Sequence, residues 1–204
     1  RGLVRVQGLR AGEKAVKPPR CRRSRCRLLA VFAAAALVSC TPSATIKVGL
    51  LIPQTGRLSD VGTSCMEGAR LALDELNAPG ALIVEGKPCK VQLVVGDCQD
   101  TPEAAVSAAL DLINKRDVFV LIGPPFSSQA IPVARLAERS RVPMITQFAT
   151  NPEVTRGTSW VFRVCFTDLF QGNIMARFAR TSLHARRAAM LYDKVNAFTR
   201  DVAG

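Results

Sequence analysis

Short apolar segments alternate with longer segments of helical periodicity along most of the chain. The apolar segments are rich in β-branched residues, which is typical of buried strands. In the first helical segment, Met66, Ala69, Leu73 and Leu76 recur at the spacing that places them on one helix face. Strands are predicted at residues 46–52, 90–95, 118–122, 143–146, 160–165 and 188–192. Helices are predicted at residues 64–77, 102–115, 129–138 and 169–179, with a last one near Phe198.

Regular alternation of strand and helix predicts an α/β fold with a doubly wound parallel sheet and helices on both faces. Ligands bind to such sheets beyond the carboxyl ends of the strands, near the point where the strand order reverses. The loops of interest therefore follow Ile52, Val95, Ile122 and Thr146.

Turn signals separate these elements. Residues 53–62 are rich in Gly, Pro and Ser and are predicted to form a loop. Asp100 is predicted to cap the second helix, with Pro102 in its first turn and Glu103 three residues after the cap.

A basic run followed by a short apolar run precedes the first predicted strand. Four arginines lie within residues 22–27, the apolar run covers residues 28–38, and Ser39-Cys40 follows. Because a membrane-spanning helix needs about 20 apolar residues, this run is too short to span and is typical of a secretory signal. We interpret residues 1–39 as an extension plus lipoprotein signal peptide, Cys40 as the lipidated residue and residues 40–45 as a tether. The protein is then extracytoplasmic, or periplasmic, and anchored to a membrane.

The net charge of +12 raises the question of a nucleic-acid partner. Ten of the 28 Lys and Arg residues, but only one of the 16 acidic residues, lie within residues 1–39. The remainder is only mildly basic and has no basic stripe interleaved with aromatic residues, so no nucleic-acid binding is expected.

Four of the seven cysteines, Cys65, Cys89, Cys98 and Cys165, lie after the tether. An oxidising compartment permits disulfides, and four cysteines allow three complete pairings. A bond between Cys65 and Cys98 is expected, because one opens the first helix and the other ends the second strand. A zinc site is not expected, since the sequence has no Cys-x-x-Cys pair and a single histidine.

The loops at the predicted carboxyl edge carry mainly hydroxyl and amide side chains. They contain neither a G-x-G-x-x-G nor a P-loop sequence, so no nucleotide cofactor is expected. His184 is interpreted as a surface residue rather than a catalytic one. Asp97 and Asp100 could form an acid–base pair, but a strand end at Asp97 and a cap at Asp100 explain them more simply. An enzyme is therefore not expected.

Ser127 and Ser128 fall where a helix begins at the carboxyl edge of the sheet. Helix N-termini attract anions such as carboxylates. One serine could cap the helix while its neighbour binds a ligand, and both interpretations stay open. Thr150 is a turn residue that could donate to a ligand in the same cleft.

The sequence resembles the N-terminal part of the type I periplasmic substrate-binding proteins of ABC transporters, the leucine/isoleucine/valine-binding family. The resemblance covers residues 46 to about 200. It rests on residues 46–52, Gly56-Arg57-Leu58-Ser59, Gly62, Glu67-Gly68-Ala69, Leu71-Ala72, Glu75-Leu76-Asn77, Asp97, Ile122-Gly123, Ser127-Ser128, Pro143 and Ala149-Thr150-Asn151-Pro152-Glu153.

This resemblance implies that Ser127, the backbone of Phe148, and Thr150 hold the amino and carboxylate groups of a ligand, with the helix after Ser128 assisting. It also implies that an aromatic residue, best matched by Phe198, packs on the ligand. Relatives often have a cysteine at the position of Phe126, bonded to the cysteine that matches Cys98, and that partner is replaced here.

The same resemblance implies two lobes. Residues 46–160 would form the N-terminal lobe and residues 161–204 the start of a second, truncated lobe. The expected function is that of an extracytoplasmic solute-binding lipoprotein for branched-chain amino acids or similar small polar solutes, with ABC permease subunits as partners. A ligand-sensing receptor of the same fold is the alternative, and an enzyme is a weaker one.

Overall fold

The computed structural model describes residues 44–193, which form one α/β unit. Within this range the strands are β1 (Ala44–Ile52), β2 (Ile83–Val84), β3 (Lys87–Asp97), β4 (Val120–Ile122), β5 (Met144–Thr146) and β6 (Val161–Arg163). The α-helices are α1 (Ser59–Leu76), α2 (Pro102–Asn114), α3 (Ser127–Ser140) and α4 (Asp168–Thr181), and a 3-10 helix covers Pro152–Val154. None of these helices is both long and apolar enough to cross a membrane.

The strands form one sheet in the order β2-β3-β1-β4-β5-β6. All neighbouring pairs are parallel except β2 and β3, which form an antiparallel hairpin. The strand order reverses between β1 and β4, because β3 follows β1 on one side and β4 returns to its other side. The predicted fold class, a doubly wound and mostly parallel sheet, is confirmed.

The main core lies between one face of the sheet and the packed pair α2 and α3. Leu51, Leu121 and Met144 point to this face and are fully buried, beside alanines of α2 and α3. Small alanines let the helices approach the sheet closely. Helix α1 contributes no residue to this cluster and packs against β1 and β3, so it covers the opposite face.

Two elements differ from the sequence prediction near β3. The hairpin of β2 and β3 was missed, and its turn consists of Glu85 and Gly86, both at positive φ. Such two-residue turns match the twist of the strands they join, and glycine reduces their steric cost. Strand β3 also extends beyond the predicted 90–95 at both ends.

Helix α1 begins at Ser59, five residues before its predicted start. Its N-cap, Leu58, makes no side-chain cap hydrogen bond, so no capping residue marks the start in the sequence. Gly62, which looked like a loop residue, lies in the first turn, and any Cβ there would overlap the carbonyl oxygen of Pro53. The glycine therefore permits the close approach of α1 to Pro53, the residue that follows β1, rather than a bend.

The predicted cap at Asp100 is wrong. Thr101 is the N-cap of α2, and its hydroxyl accepts a hydrogen bond from the N–H of Ala104 at 3.2 Å. The carboxylate of Asp100 instead accepts from the N–H groups of Arg57 and Leu58, at 2.7 and 3.3 Å. Asp100 lies three residues after the end of β3, beside the loop after β1, and the N–H groups of that loop bind its carboxylate.

The strand predicted at residues 188–192 is absent from the structure. These residues are exposed coil after α4, and none of the described strands lies beside them. A strand needs a neighbour to satisfy its backbone groups, so apolar composition alone does not produce one. Phe198 and the helix predicted near it lie outside the described residues.

Gly123 fixes the path of the chain from β4 into the loop before α3. Its φ is +89°, and an added Cβ would overlap the backbone carbonyl oxygen of Leu51 in the neighbouring strand. A side chain at this position would therefore be both strained and obstructed by backbone that cannot move aside.

We predict that Gly123→Ala lowers the free energy of unfolding by at least about 2 kcal/mol, because strain and overlap act together. Gly80→Ala is the matched control, since Gly80 also has a positive φ, +77°, but open space around it. It should cost only about 1 kcal/mol. Urea unfolding followed by circular dichroism measures both, and equal costs would show that the contact with Leu51 is unimportant.

Candidate functional site

Two turns meet at the carboxyl edge of the sheet, one after β4 and one after β5. Ser127 is the first residue of α3, and Thr150 lies in the turn that follows β5. Each residue is only 8% exposed. The N–H of Asn151 donates to Ser127 Oγ at 3.3 Å, which joins the two turns directly. The structure thus brings together the two segments that the sequence singled out.

Neither serine caps α3 with its side chain. The N-cap is Phe126, whose carbonyl accepts from the N–H groups of Gln129 and Ala130. Ser127 Oγ is engaged by the neighbouring turn, and Ser128 is exposed at the same helix N-terminus. The capping interpretation for these serines is therefore wrong.

Helix α3 is 14 residues long, so the positive end of a substantial helix dipole points at this edge.

Phe148 lies beside these groups at the surface, with 58% of its area exposed. The preceding residue, Gln147, is half-buried, and its amide Nε2 lies 3.7 Å from Cys65 Sγ on α1. Helix α1 therefore reaches the same edge as the two turns. An open aromatic side chain next to buried hydroxyl groups offers an apolar surface and polar anchors side by side.

The turn after β5 is shaped by Arg163, a residue that the sequence analysis did not identify. Its Nη1 donates to the carbonyl oxygens of Ala149, Thr150 and Asn151, at 3.3, 3.1 and 2.8 Å. Its Nη2 donates to the carbonyl oxygen of Pro152 and to the hydroxyl of Thr155. The five donors of a planar guanidinium suit such a set of converging acceptors.

A second arginine binds the far end of the same turn. Arg135 on α3 donates from Nη1 to the carbonyl of Arg156 at 2.8 Å and from Nη2 to that of Glu153 at 3.1 Å.

A further hydrogen bond connects β5 to the loop after β4. Thr146 Oγ1, at the end of β5, donates to the carbonyl of Pro124 in that loop at 2.7 Å.

Asp97 ends β3, as predicted, and orders the loop after β1. Its carboxylate accepts from the hydroxyl of Thr55 at 2.7 Å and from the N–H groups of Gln54 and Gln99, both at 2.9 Å. Burial raises the pKa of Asp97, but the hydrogen bonds from Thr55 and these backbone groups outweigh burial and hold the pKa below its ordinary value. Asp97 and Asp100 are both engaged by loop backbone, which favours the structural interpretation of the pair.

Gln129 on α3 holds the loop after β3, another role not evident in the sequence. The residue is almost fully buried, and its Nε2 donates to the carbonyls of Cys98 and Gln99, each at 3.0 Å. The thiol of Cys98 donates to Gln129 Oε1 at 3.5 Å. A buried amide that is satisfied in this way fixes the relative position of helix and loop.

The expected disulfide between Cys65 and Cys98 is not present. The four cysteines within residues 44–193, Cys65, Cys89, Cys98 and Cys165, are free. The Cys98 thiol is turned toward Gln129, while the sulfur of Cys65 faces Gln147. Burial, assisted by the charge of Asp97, raises the pKa of Cys98 to about 12.

No group of three or more metal-ligating side chains gathers anywhere in the described range. His184 is exposed after α4, where a surface histidine was predicted.

Cys98 should be nearly inert in the folded protein. At about pH 8 its thiolate fraction is very small because the pKa is raised, and the side chain is fully buried. We predict that iodoacetamide modifies Cys98 at least about a hundredfold more slowly in the native chain than in concentrated urea. Peptide mass spectrometry measures the rate, and recovery of a Cys65–Cys98 peptide would contradict the free-thiol assignment.

A family model described as periplasmic binding protein matches residues 45–204. Among curated proteins, the Leu/Ile/Val-binding protein BraC3 of Rhizobium johnstonii is 35% identical over 152 residues, covering 74% of this chain and 40% of the relative. A leucine-, isoleucine-, valine-, threonine- and alanine-binding protein of Pseudomonas aeruginosa is 34% identical over 170 residues, covering 82% and 44%. The chain thus spans less than half the length of these relatives.

Solved structures show the same similarity. The leucine-binding protein LivK of Thermotoga maritima superposes with a TM-score of 0.69 at 33% identity, covering 78% of this chain and 43% of LivK. LivJ of Streptococcus pneumoniae, solved with isoleucine, superposes with a TM-score of 0.71 at 30% identity, covering 78% and 44%.

Proposed function

The chain belongs to the periplasmic binding protein family, in its type I Leu/Ile/Val-binding group, and from that premise we propose that it is the solute-binding component of an ABC transporter. Members of this family bind solutes and are not enzymes. The proposed ligand is a branched-chain amino acid or a similar small polar solute. Relatives named for leucine, isoleucine and valine binding, and LivJ solved with isoleucine, support this choice.

The observation that carries the proposal is the link between Asn151 N–H and Ser127 Oγ, which holds two turns from adjacent strands side by side. In the proposal, Ser127 and the N-terminus of α3 around Ser128 receive the ligand's α-carboxylate. A helix N-terminus with free N–H groups favours such an anion. The hydroxyl of Thr150 and the backbone carbonyl of Phe148 hold the amino group, because an ammonium group needs acceptors, and the N–H of Thr150 donates to the carboxylate. Phe198, outside the described residues, is proposed to pack on the ligand.

The proposed architecture has two lobes. The ligand-binding lobe, expected at residues 46–160, also includes β6 (Val161–Arg163), because this strand pairs with β5 in the same sheet. In the proposal the second lobe begins after Arg163 rather than at residue 161. A ligand bound at the carboxyl edge of the sheet would be enclosed when the second lobe closes by a hinge motion. The closed form would then dock on permease subunits in the membrane.

We further propose that the protein works outside the cytoplasm, anchored by lipid. The supporting pattern is the basic run, the apolar residues 28–38 and the Ser39-Cys40 pair. Residues 1–39 would act as the signal and Cys40 would carry the lipid. The tether expected at residues 40–45 is shorter, because Ala44 and Thr45 are the first residues of β1 and pair with β3. Residues 1–43 precede the described range.

We predict that Thr150→Ala weakens L-leucine binding by roughly 10- to 100-fold, and Ser127→Ala by a similar amount. A hydrogen bond to a charged group contributes about 1.5–3 kcal/mol, which corresponds to that change in affinity. The measurement is titration calorimetry on the complete gene product with both lobes.

Thr63→Ala is the matched control for these titrations. Thr63 also carries a bonded hydroxyl, which donates to the carbonyl of Ser59 within α1, but it lies on an exposed helix face. Its replacement should leave leucine affinity unchanged. If Ser127→Ala and Thr150→Ala both bind leucine as the unaltered protein does, the ligand site has been assigned to the wrong turns.

We predict that Cys40→Ser releases the protein from membranes or leaves it unprocessed, since only the thiol of Cys40 can take the lipid. Fractionation of expressing cells and intact mass measurement give the result. Finding an unmodified Cys40 inside a longer mature chain would refute the lipoprotein proposal. Cys26→Ser, inside the proposed signal, serves as the control and should leave processing unchanged.

A further inference from the structure

We propose that Arg163 is a positioning residue that sets the direction of two N–H groups in the turn after β5, that of Asn151, which bonds Ser127, and that of Thr150, which donates to the ligand's carboxylate. This inference deepens the proposed function and rests on it for the identity of the ligand. Three observations support it. Successive carbonyls converge on one guanidinium, and the planarity of the peptide groups then fixes the direction of the N–H groups that follow those carbonyls. A second arginine binds the same turn but contacts only later carbonyls.

The first observation concerns Nη1 of Arg163, which lies within 3.3 Å of three successive carbonyl oxygens, those of Ala149, Thr150 and Asn151. Successive carbonyls do not converge in a strand, where they alternate in direction. The turn must therefore curl around the guanidinium. Arg163 ends β6 in register with Thr146, so its side chain starts beside the strand from which this turn emerges.

The second observation follows from peptide planarity. In a trans peptide the N–H points opposite to the carbonyl of the preceding residue. With the carbonyls of Ala149 and Thr150 facing Arg163, the N–H groups of Thr150 and Asn151 must face the other way. The N–H of Asn151 indeed reaches Ser127 Oγ, on the α3 side. By the same planarity the N–H of Thr150 is directed away from Arg163, and in the proposal it donates to the ligand's carboxylate.

The third observation is the contrast with Arg135. This residue donates to the carbonyls of Arg156 and Glu153, which come after the proposed ligand residues. It therefore stabilises the end of the turn without determining which way Thr150 or Asn151 faces. Arg135 provides an internal control of the same residue type acting on the same turn.

Lysine is not equivalent to arginine at position 163. An ammonium group has three donors around one point, whereas the guanidinium has five in a fixed plane. Arg163 contacts four carbonyls and one hydroxyl, so Arg163→Lys keeps the charge but loses several of these hydrogen bonds. The carbonyls of Thr150, Asn151 and Pro152 keep a backbone N–H donor each, whereas no backbone donor to the carbonyl of Ala149 is seen in the described residues. A positioning role predicts an intermediate loss for this variant.

The experiment compares Arg163→Met, Arg163→Lys and Arg135→Met in the complete gene product. Circular dichroism first checks that each variant is folded. Titration calorimetry with L-leucine then gives the affinity, and hydrogen exchange with mass spectrometry gives the protection of amides within residues 148–156. The exchange measurement needs no ligand, so it separates a failure of this inference from a failure of the proposed function.

We expect Arg163→Met to weaken leucine binding by at least about tenfold and Arg163→Lys to fall between it and the unaltered protein. Arg135→Met should stay within about twofold in affinity. Exchange in Arg163→Met should accelerate at residues 149–151, because the guanidinium that holds their carbonyls is gone. Arg135→Met should accelerate exchange only from residue 153 onward.

Equal affinities for Arg163→Met and the unaltered protein would overturn the inference. Equal losses in Arg163→Met and Arg135→Met would also overturn it, since general loosening of the turn would then explain both. If the unaltered protein does not bind leucine, the proposed ligand is wrong and exchange alone decides. Unchanged exchange at residues 149–151 in Arg163→Met would then reject the positioning role.

Discussion

At the carboxyl edge of this sheet, buried backbone N–H and carbonyl groups that belong to no helix or strand must find hydrogen-bond partners. This constraint determines how the loops there are held. The turn after β5 is the clearest case, because Ala149 and Asn151 are almost fully buried. An unpaired buried carbonyl costs about as much as a lost hydrogen bond, so each must find a donor. Arg163 supplies most of these donors, while Asp97 and Gln129 serve the loops after β1 and β3 in the same way.

The hydrogen bonds that satisfy these buried backbone groups stabilise the loops and also position the candidate ligand site. Side chains that hold the loop backbone also cross-link neighbouring loops, as Ser127 Oγ does for Asn151 and Thr146 does for Pro124. A site held in place by such bonds loses less freedom on binding, which favours affinity for a small polar ligand. The arrangement explains how two short turns, neither of them a regular element, could present polar groups at a fixed spacing.

Periodicity located β1, α2 and β5 closely, because apolar alternation and helical spacing report burial directly. It failed where a long-range contact decides the structure. The first turn of α1 includes Gly62, and only a glycine can approach Pro53 so closely. Thr101 rather than Asp100 caps α2, because the loop after β1 binds the carboxylate of Asp100. The placement of Ser127 and Thr150 at the carboxyl edge of the sheet could be predicted from local turn patterns together with the family resemblance. The role of Arg163 could not, since nothing in a strand-ending arginine indicates which carbonyls converge on it.

A crystal structure of the complete protein with L-leucine tests the central claim most directly. The account predicts the ligand's carboxylate within hydrogen-bond distance of Ser127 Oγ and the N-terminus of α3. Its amino group should lie beside Thr150 and the backbone of Phe148, with Arg163 still bound to the carbonyls of Ala149, Thr150 and Asn151. Leucine bound away from these two turns, or a turn that releases Arg163 when leucine binds, would contradict it.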